Sequence, residues 1–173
     1  MKAMVVRTTR SFPCPARTVW TLMCNSRMDD ARTLPFRLGV PQPVQCRVTD
    51  GHGGVGSERE CISDQGVVHQ RILVWAPEKR LMFRMERTDM DFQRFVRDIV
   101  DTFDLVPSSS GVTVTRTTEV WTKGRFAILH RFTLFVSLKQ VHRFVFRNWL
   151  RLAKQATASP SPAERATPGT STL

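Results

Sequence analysis

The chain has 173 residues, 41% of them hydrophobic, and a formal charge of +11. That length allows one domain with a sizeable core, and the composition argues against disorder of the whole chain. The charge is uneven: residues 1–119 carry +3 and residues 120–173 carry +8, with Glu164 the sole acid in that last third.

In chain order, "KAMVVRTT" reads as a first strand. "CPARTVWTLMCN" reads as a short helix with Pro15 in its first turn, where a missing N–H does no harm, and Val19, Leu22 and Met23 give it an apolar face. Residues 28–43 are irregular, with room for a second short helix. Six strand-like runs follow: "PVQCRVT", "SERECIS", "VVHQRILVW", "RLMFRMER", "QRFVRDIVDTFDLV" and "VTVTRTTEVW". Turn residues divide them, among them "DGHGGVG", "DQG", "APEK" and "PSSSG", so the connections are short and the meander antiparallel. A long helix is expected from about Arg125 to Lys154. Residues 155–173, rich in Pro, Ser, Thr and Ala, read as a disordered tail.

On a helical wheel with Ile128 as origin, Phe132, Phe135, Leu138, His142, Val145, Phe146, Trp149, Leu150 and Ala153 share one broad face. Thr133, Ser137, Gln140, Arg147, Arg151 and Lys154 fall largely opposite, with Arg143 on the flank. Arg131 and Lys139 intrude on the apolar sector and Phe144 falls outside it. A meander with one wet face needs a cover for its apolar face, and this helix is the only element long enough. Core packing is therefore the leading reading. Docking on an anionic membrane or an acidic partner through Arg143, Arg147 and Arg151 is a second alternative. No helix-turn-helix or zinc-finger pattern accompanies the charge, so no specific nucleic acid is expected.

The last hairpin specifies an interior. With Val106 opposite Gly111, Leu105 faces Val112, Phe103 faces Val114, Asp101 faces Arg116, Ile99 faces Thr118 and Arg97 faces Val120. The other face carries Asp98, Val100, Thr102 and Asp104. A slip of one residue would put the polar set inside. Asp101 and Arg116 thus form an expected cross-strand pair on the core side. A buried charge pair is an expensive core filler but suits a cavity holding a polar part of a ligand.

Cys14, Cys24, Cys46 and Cys61 lie far apart with no C-x-x-C, and there are four His, so no zinc spacing appears and no metal or cofactor is expected. Free thiols in a reducing compartment are the simplest reading. "MKAMVVRTTR" is too polar for a signal peptide, and Arg131, Lys139 and Arg143 interrupt the best apolar run. The expectation is a cytoplasmic protein, at most peripheral to a membrane.

The order of strand, short helix, irregular segment, six-strand meander and long helix resembles the START-like (SRPBCC) superfamily, over about Lys2 to Lys154. In "FPCPARTVWTLMCN", Pro15 with Val19 and Trp20 is similar to the family's opening pattern. "WAPEKRLMFRM" resembles its Pro-bearing turn into a strand, and "NWLRLAK" its helix end. "FDLVPSSSGVTVT" resembles its late hairpin, with Val112 where Thr is usual. "GHGGVG", residues 51–56, is similar to the glycine-rich loop of the plant allergen branch, and a plain turn is the favoured reading over an anion nest.

The resemblance implies an α+β helix-grip fold over residues 1–154: a curved antiparallel seven-stranded sheet wrapped around the long helix, with one or two short helices after the first strand. It also implies a cavity between sheet and helix. Members of the polyketide cyclase/dehydrase and lipid-transfer-like branch bind lipids, sterols, polyketides or other hydrophobic molecules. The first functional expectation is binding or transport of such a molecule. Phe83, Met85, Phe103, Phe135 and Phe146 would form the apolar wall, Arg97, Asp101 and Arg116 the polar anchors, and His142 would either pack or meet the ligand. The alternative is a cyclase/dehydratase with Asp101 or His142 as base. No catalytic signature such as G-x-S-x-G or H-E-x-x-H accompanies it.

Overall fold

A computed structural model describes residues 2–29, 34–124 and 127–158. The elements in order are β1 (Met4–Phe12), α1 (Ala16–Cys24), β2 (Asn25–Arg27), α2 (Leu34–Arg37), β3 (Pro43–Val48), β4 (Glu58–Ser63), β5 (Gly66–Ala76), β6 (Arg80–Thr88), a 3-10 turn (Asp91–Arg94), β7 (Val96–Ser108), β8 (Gly111–Thr122) and α3 (Ala127–Ala158). One antiparallel sheet holds all eight strands in the order β1-β8-β7-β6-β5-β4-β3-β2. It curls around α3 as the helix-grip expectation required. The eighth strand is β2, three residues that leave α1 and pair with β3. At about 1.5 Å per residue, the 32 residues of α3 span about 48 Å. α3 includes residues 155–158, the start of the expected tail; residues 159–173 lie outside the described residues.

Two apolar clusters hold α3 to the sheet. The larger gathers Phe12, Val19, Met23, Phe83, Phe103 and Trp149 with their neighbours. The smaller, at the other end, gathers Met4, Val6, Val96 and Val120, with Leu134 and Leu138 packed against it. Trp149 Nε1 donates to Ser26 Oγ at 3.1 Å, and the Asp29 backbone N–H donates to Asn148 Oδ1 at 2.9 Å. These bonds fix the end of α3 against β2.

The β7–β8 hairpin differs from its expected register by two residues. Ser108 pairs with Gly111, so the loop is Ser109-Ser110, and Leu105 faces Val114 while Asp101 faces Thr118. A shift of two preserves every side chain's face, because the strand period is two. Asp101 and Arg116 are therefore diagonal rather than directly opposite, and still on the inner face. Pro107 is tolerated because β6 stops pairing with β7 at Asp104.

The four-free-thiols expectation is corrected. Cys46 and Cys61 are directly opposite on β3 and β4, with Cα atoms 4.2 Å apart, and they form a disulfide; Cys14 and Cys24 are free. The thiol argument for a reducing compartment loses its premise. No helix among the described residues is long and apolar enough to cross a membrane.

The glycine-rich loop is a self-contained turn. Asp50 Oδ1 accepts from the backbone N–H groups of His52 and Gly53, and Ser57 Oγ donates to Asp50 Oδ2 at 2.6 Å. The amides that would cradle an anion thus hold the chain's own carboxylate. Gly53 has φ +72°, and a Cβ there would lie 2.3 Å from the Trp75 ring.

Candidate functional site

Between the inner sheet face and α3 lies a cavity of about 480 Å³, within the usual range for a small-molecule site. Strand alternation points Phe83, Phe103 and Ile99 into it, and α3 contributes Leu138, Val145 and Trp149. The wall is mostly apolar. Phe83 and Phe103 pack at 5.9 Å, and Phe103 meets Trp149 at 5.6 Å.

Four charged groups line it: Asp101, Arg116 and Arg59 are in its buried wall, and Asp91 is exposed to solvent and paired with Arg94 at 3.3 Å. Asp101 is 3% exposed. Arg116 holds it with two bonds, Nε to Oδ1 at 2.9 Å and Nη2 to Oδ2 at 3.2 Å, and Thr118 Oγ1 donates to Oδ1 as well. Burial alone would push this carboxyl up. The Arg116 charge and hydrogen bonds, with Thr118, outweigh burial and hold it below the ordinary value. Asp101 is thus an ionised, fully engaged carboxylate, poorly suited to taking a proton.

Arg59, on β4, is 3% exposed and has no carboxylate partner among the described residues. Its Nη1 donates to Gln70 Oε1 at 2.5 Å and to Cys61 Sγ at 3.0 Å, and its guanidinium lies 4.4 Å from the Phe83 ring centroid. Its Nε is buried without a hydrogen-bond partner. Burial, and next the Arg116 charge, lower its pKa to about 10, so it is still a cation at neutral pH. The buried lining charges are therefore two guanidiniums and one carboxylate, a net positive charge apart from the exposed Asp91.

His142 is fully buried against β1 and β8 and does not line the cavity. Thr118 Oγ1 sits 2.8 Å from Nε2, and Thr8 Oγ1 sits 3.1 Å from Nδ1. Because Thr118 gives its proton to Asp101, it must accept from Nε2–H. Nδ1 then accepts from Thr8, which assigns the tautomer. Burial, and after it the Arg116 charge, hold the ring neutral with a pKa of about 2. Both ring nitrogens are used, so His142 is a packed link from β1 to the Asp101 carboxylate.

Of the candidates read from sequence, Phe83, Met85, Asp101, Phe103 and Arg116 line the cavity, and Arg97, Phe135, His142 and Phe146 do not. Arg97 is exposed because it forms a β-bulge: Val96 pairs with Thr122 and Asp98 with Trp121, so the alternation breaks and Val96 points inward instead. Phe146 is buried on the β1 side, edge-on to Phe12 at 5.8 Å. Phe135 is 42% exposed. The cavity-facing stripe of α3 is Thr133, Leu134, Ser137, Leu138, Val141, Val145 and Trp149, turned roughly 100° from the expected one, about one residue's rotation. Phe144, expected outside the apolar sector, is buried against Phe36 at 4.8 Å.

Arg59 and Gln70 were missed. Their signal was phase. In "SERECIS" the glutamates Glu58 and Glu60 mark the wet face, which places Arg59 and Cys61 on the other. On the outer face Glu58, Glu60 and His69 bring ligand-capable atoms within 4.8 Å of one another. Arg47 pairs with Glu60 and Arg87 with Glu58, each at 3.1 Å, so a charge ladder across β3–β6 accounts for this group.

No protein-family model matches the chain. No curated protein sequence matches it either. Solved structures do. The Zhui aromatase/cyclase from Streptomyces sp. R1128 aligns with a TM-score of 0.64 at 13% identity, covering 90% of this chain and 96% of that one. A START superfamily protein from Mycobacterium smegmatis aligns with a TM-score of 0.59 at 12% identity, covering 88% of this chain and 98% of that one. Ara h 8.0201 aligns with a TM-score of 0.60 at 13% identity, covering 88% of this chain and 99% of that one. Curled sheet, gripped helix and these alignments together give the chain the helix-grip fold that these structures share.

Proposed function

We propose that this protein binds a hydrophobic small molecule carrying an anionic group, held in the cavity between sheet and α3. The observation that carries the reading is Arg59: a buried cation on an apolar wall, without a carboxylate partner among the described residues and with its Nε unbonded. An isolated buried charge is costly, and a carboxylate or enolate brought in with the ligand would offset that cost. Phe83, Phe103 and Trp149 would cover its apolar body. Arg116 is committed to Asp101, so it would orient the acid rather than bind it alone.

The cyclase reading needs a base that faces the cavity. Asp101 faces it, but Arg116 and Thr118 bond both its oxygens and lower its basicity, and His142 is turned away with both nitrogens bonded. Binding is the better-supported function. The test is a titration at pH 7.5 of 1-pyrenebutyric acid and its methyl ester, read by quenching of tryptophan fluorescence, since Trp149 lines the cavity. A charge-assisted hydrogen bond predicts that the acid binds at least about tenfold tighter. Equal affinities, or binding by neither, would overturn the proposal.

A further inference from the structure

α3 turns an unusual surface outward. Phe132 is 70% exposed, Phe135 42% and Val136 44%, three large apolar side chains within five residues. At about 100° per residue, Phe132, Val136, Arg143 and Arg147 fall along one outward line. Arg143 and Arg147 are exposed. The whole helix carries Arg131, Lys139, Arg143, Arg147, Arg151 and Lys154, with no acidic residue. Arg151 leans on Asp29 at 3.8 Å, and Arg131 and Lys139 reach backbone oxygens of Lys2 and Arg7. An apolar end followed by a basic shaft is the pattern of a helix that lies in an anionic lipid surface.

The same stretch adjoins the cavity. Phe132 immediately precedes Thr133 and Leu134, which line it, and Leu38, 78% exposed, immediately precedes the lining residues Gly39 and Val40. Exposed apolar side chains thus stand beside lining residues on two separate elements.

We infer that the outward face of α3, with Phe132, Phe135 and Val136 at one end and Arg143 and Arg147 along it, docks the protein on an anionic lipid bilayer. The apolar side chains enter the headgroup boundary and the arginines meet lipid phosphates. A second copy of this chain is a poor occupant, because two acid-free helices would bring like charges together. A polyanion such as DNA would use the arginines but leave the phenylalanines exposed. The inference rests on the exposure and charge of α3 and not on the acid-binding cavity, so each stands or falls separately.

The experiment is co-sedimentation of the full chain with vesicles of phosphatidylcholine alone and with phosphatidylcholine containing 30% phosphatidylglycerol. The account expects binding to the anionic vesicles only, weakening at least tenfold between 50 and 500 mM NaCl. Phe132→Ser with Phe135→Ser should weaken it about tenfold with thermal stability unchanged, as both side chains are exposed. Arg143→Gln with Arg147→Gln should weaken it comparably. No binding to anionic vesicles overturns the inference. So does binding that the phenylalanine variant leaves intact, which would mark generic charge attraction. A concentration-dependent dimer broken by that variant would assign the face to a second copy and overturn it as well.

Discussion

On the outer face of the sheet, arginines on one strand reach carboxylates on the next: Arg47 to Glu60, Arg71 to Glu86, Arg80 to Asp104 and Arg84 to Asp98. On the inner face Arg116 has Asp101, and Arg59 has no carboxylate among the described residues. The outer pairs are half in water, where a cation left alone is readily solvated. The inner ones are not, so their imbalance is a property of the fold. A net positive charge on the buried part of an apolar cavity wall is what a site for an anionic guest requires.

The largest loss is expected at Arg116. Arg116→Ala leaves the Asp101 carboxylate buried without its cation, and should cost about 3–5 kcal/mol in urea denaturation. A cost under about 1 kcal/mol would mean that water already reaches Asp101. Next comes acid. His142 has a folded-state pKa of about 2 against roughly 6.5 unfolded. Below pH 6.5 the unfolded chain binds the additional proton, so this contribution is complete above that pH and is lost as pH falls. Between pH 7 and pH 5 the loss should be about 2 kcal/mol, and His142→Gln should flatten the slope. Stability independent of His142 across that window would contradict a neutral, buried ring.

Arg59→Met should act in the opposite sense to Arg116→Ala. Removing a buried cation without a counter-ion should leave the ligand-free protein about as stable or up to about 1 kcal/mol more stable. A loss of several kcal/mol would show that Arg59 is structural. The smallest effect is expected outside: Arg84→Ala, on an exposed pair, should cost under about 1 kcal/mol and less in high salt.

Much of this interior was legible in the sequence. Alternation in β7 and β8 put Phe103, Asp101 and Arg116 on one face, and a two-residue error in the turn left that face unchanged. Arg97 was misread because a bulge is a local break in phase that composition does not announce. α3 was misread in rotation because Phe132 and Phe135 were counted as core, and here they are exposed. The Cys46–Cys61 disulfide depends on how β3 and β4 align across the glycine-rich loop, which the cysteine spacing alone does not specify. Arg59 was readable from its phase against Glu58 and Glu60, but a lone arginine in a charged strand reads first as a wet-face residue.

The central claim is that Arg59 makes the cavity prefer an anion. The most direct measurement is the ratio of Kd values for 1-pyrenebutyric methyl ester and 1-pyrenebutyric acid, in the wild type and in Arg59→Met, at pH 7.5. The account predicts a ratio of at least about ten in the wild type, falling toward one in the variant, with ester affinity kept. A wild-type ratio near one, or a ratio that survives the loss of Arg59, would contradict it.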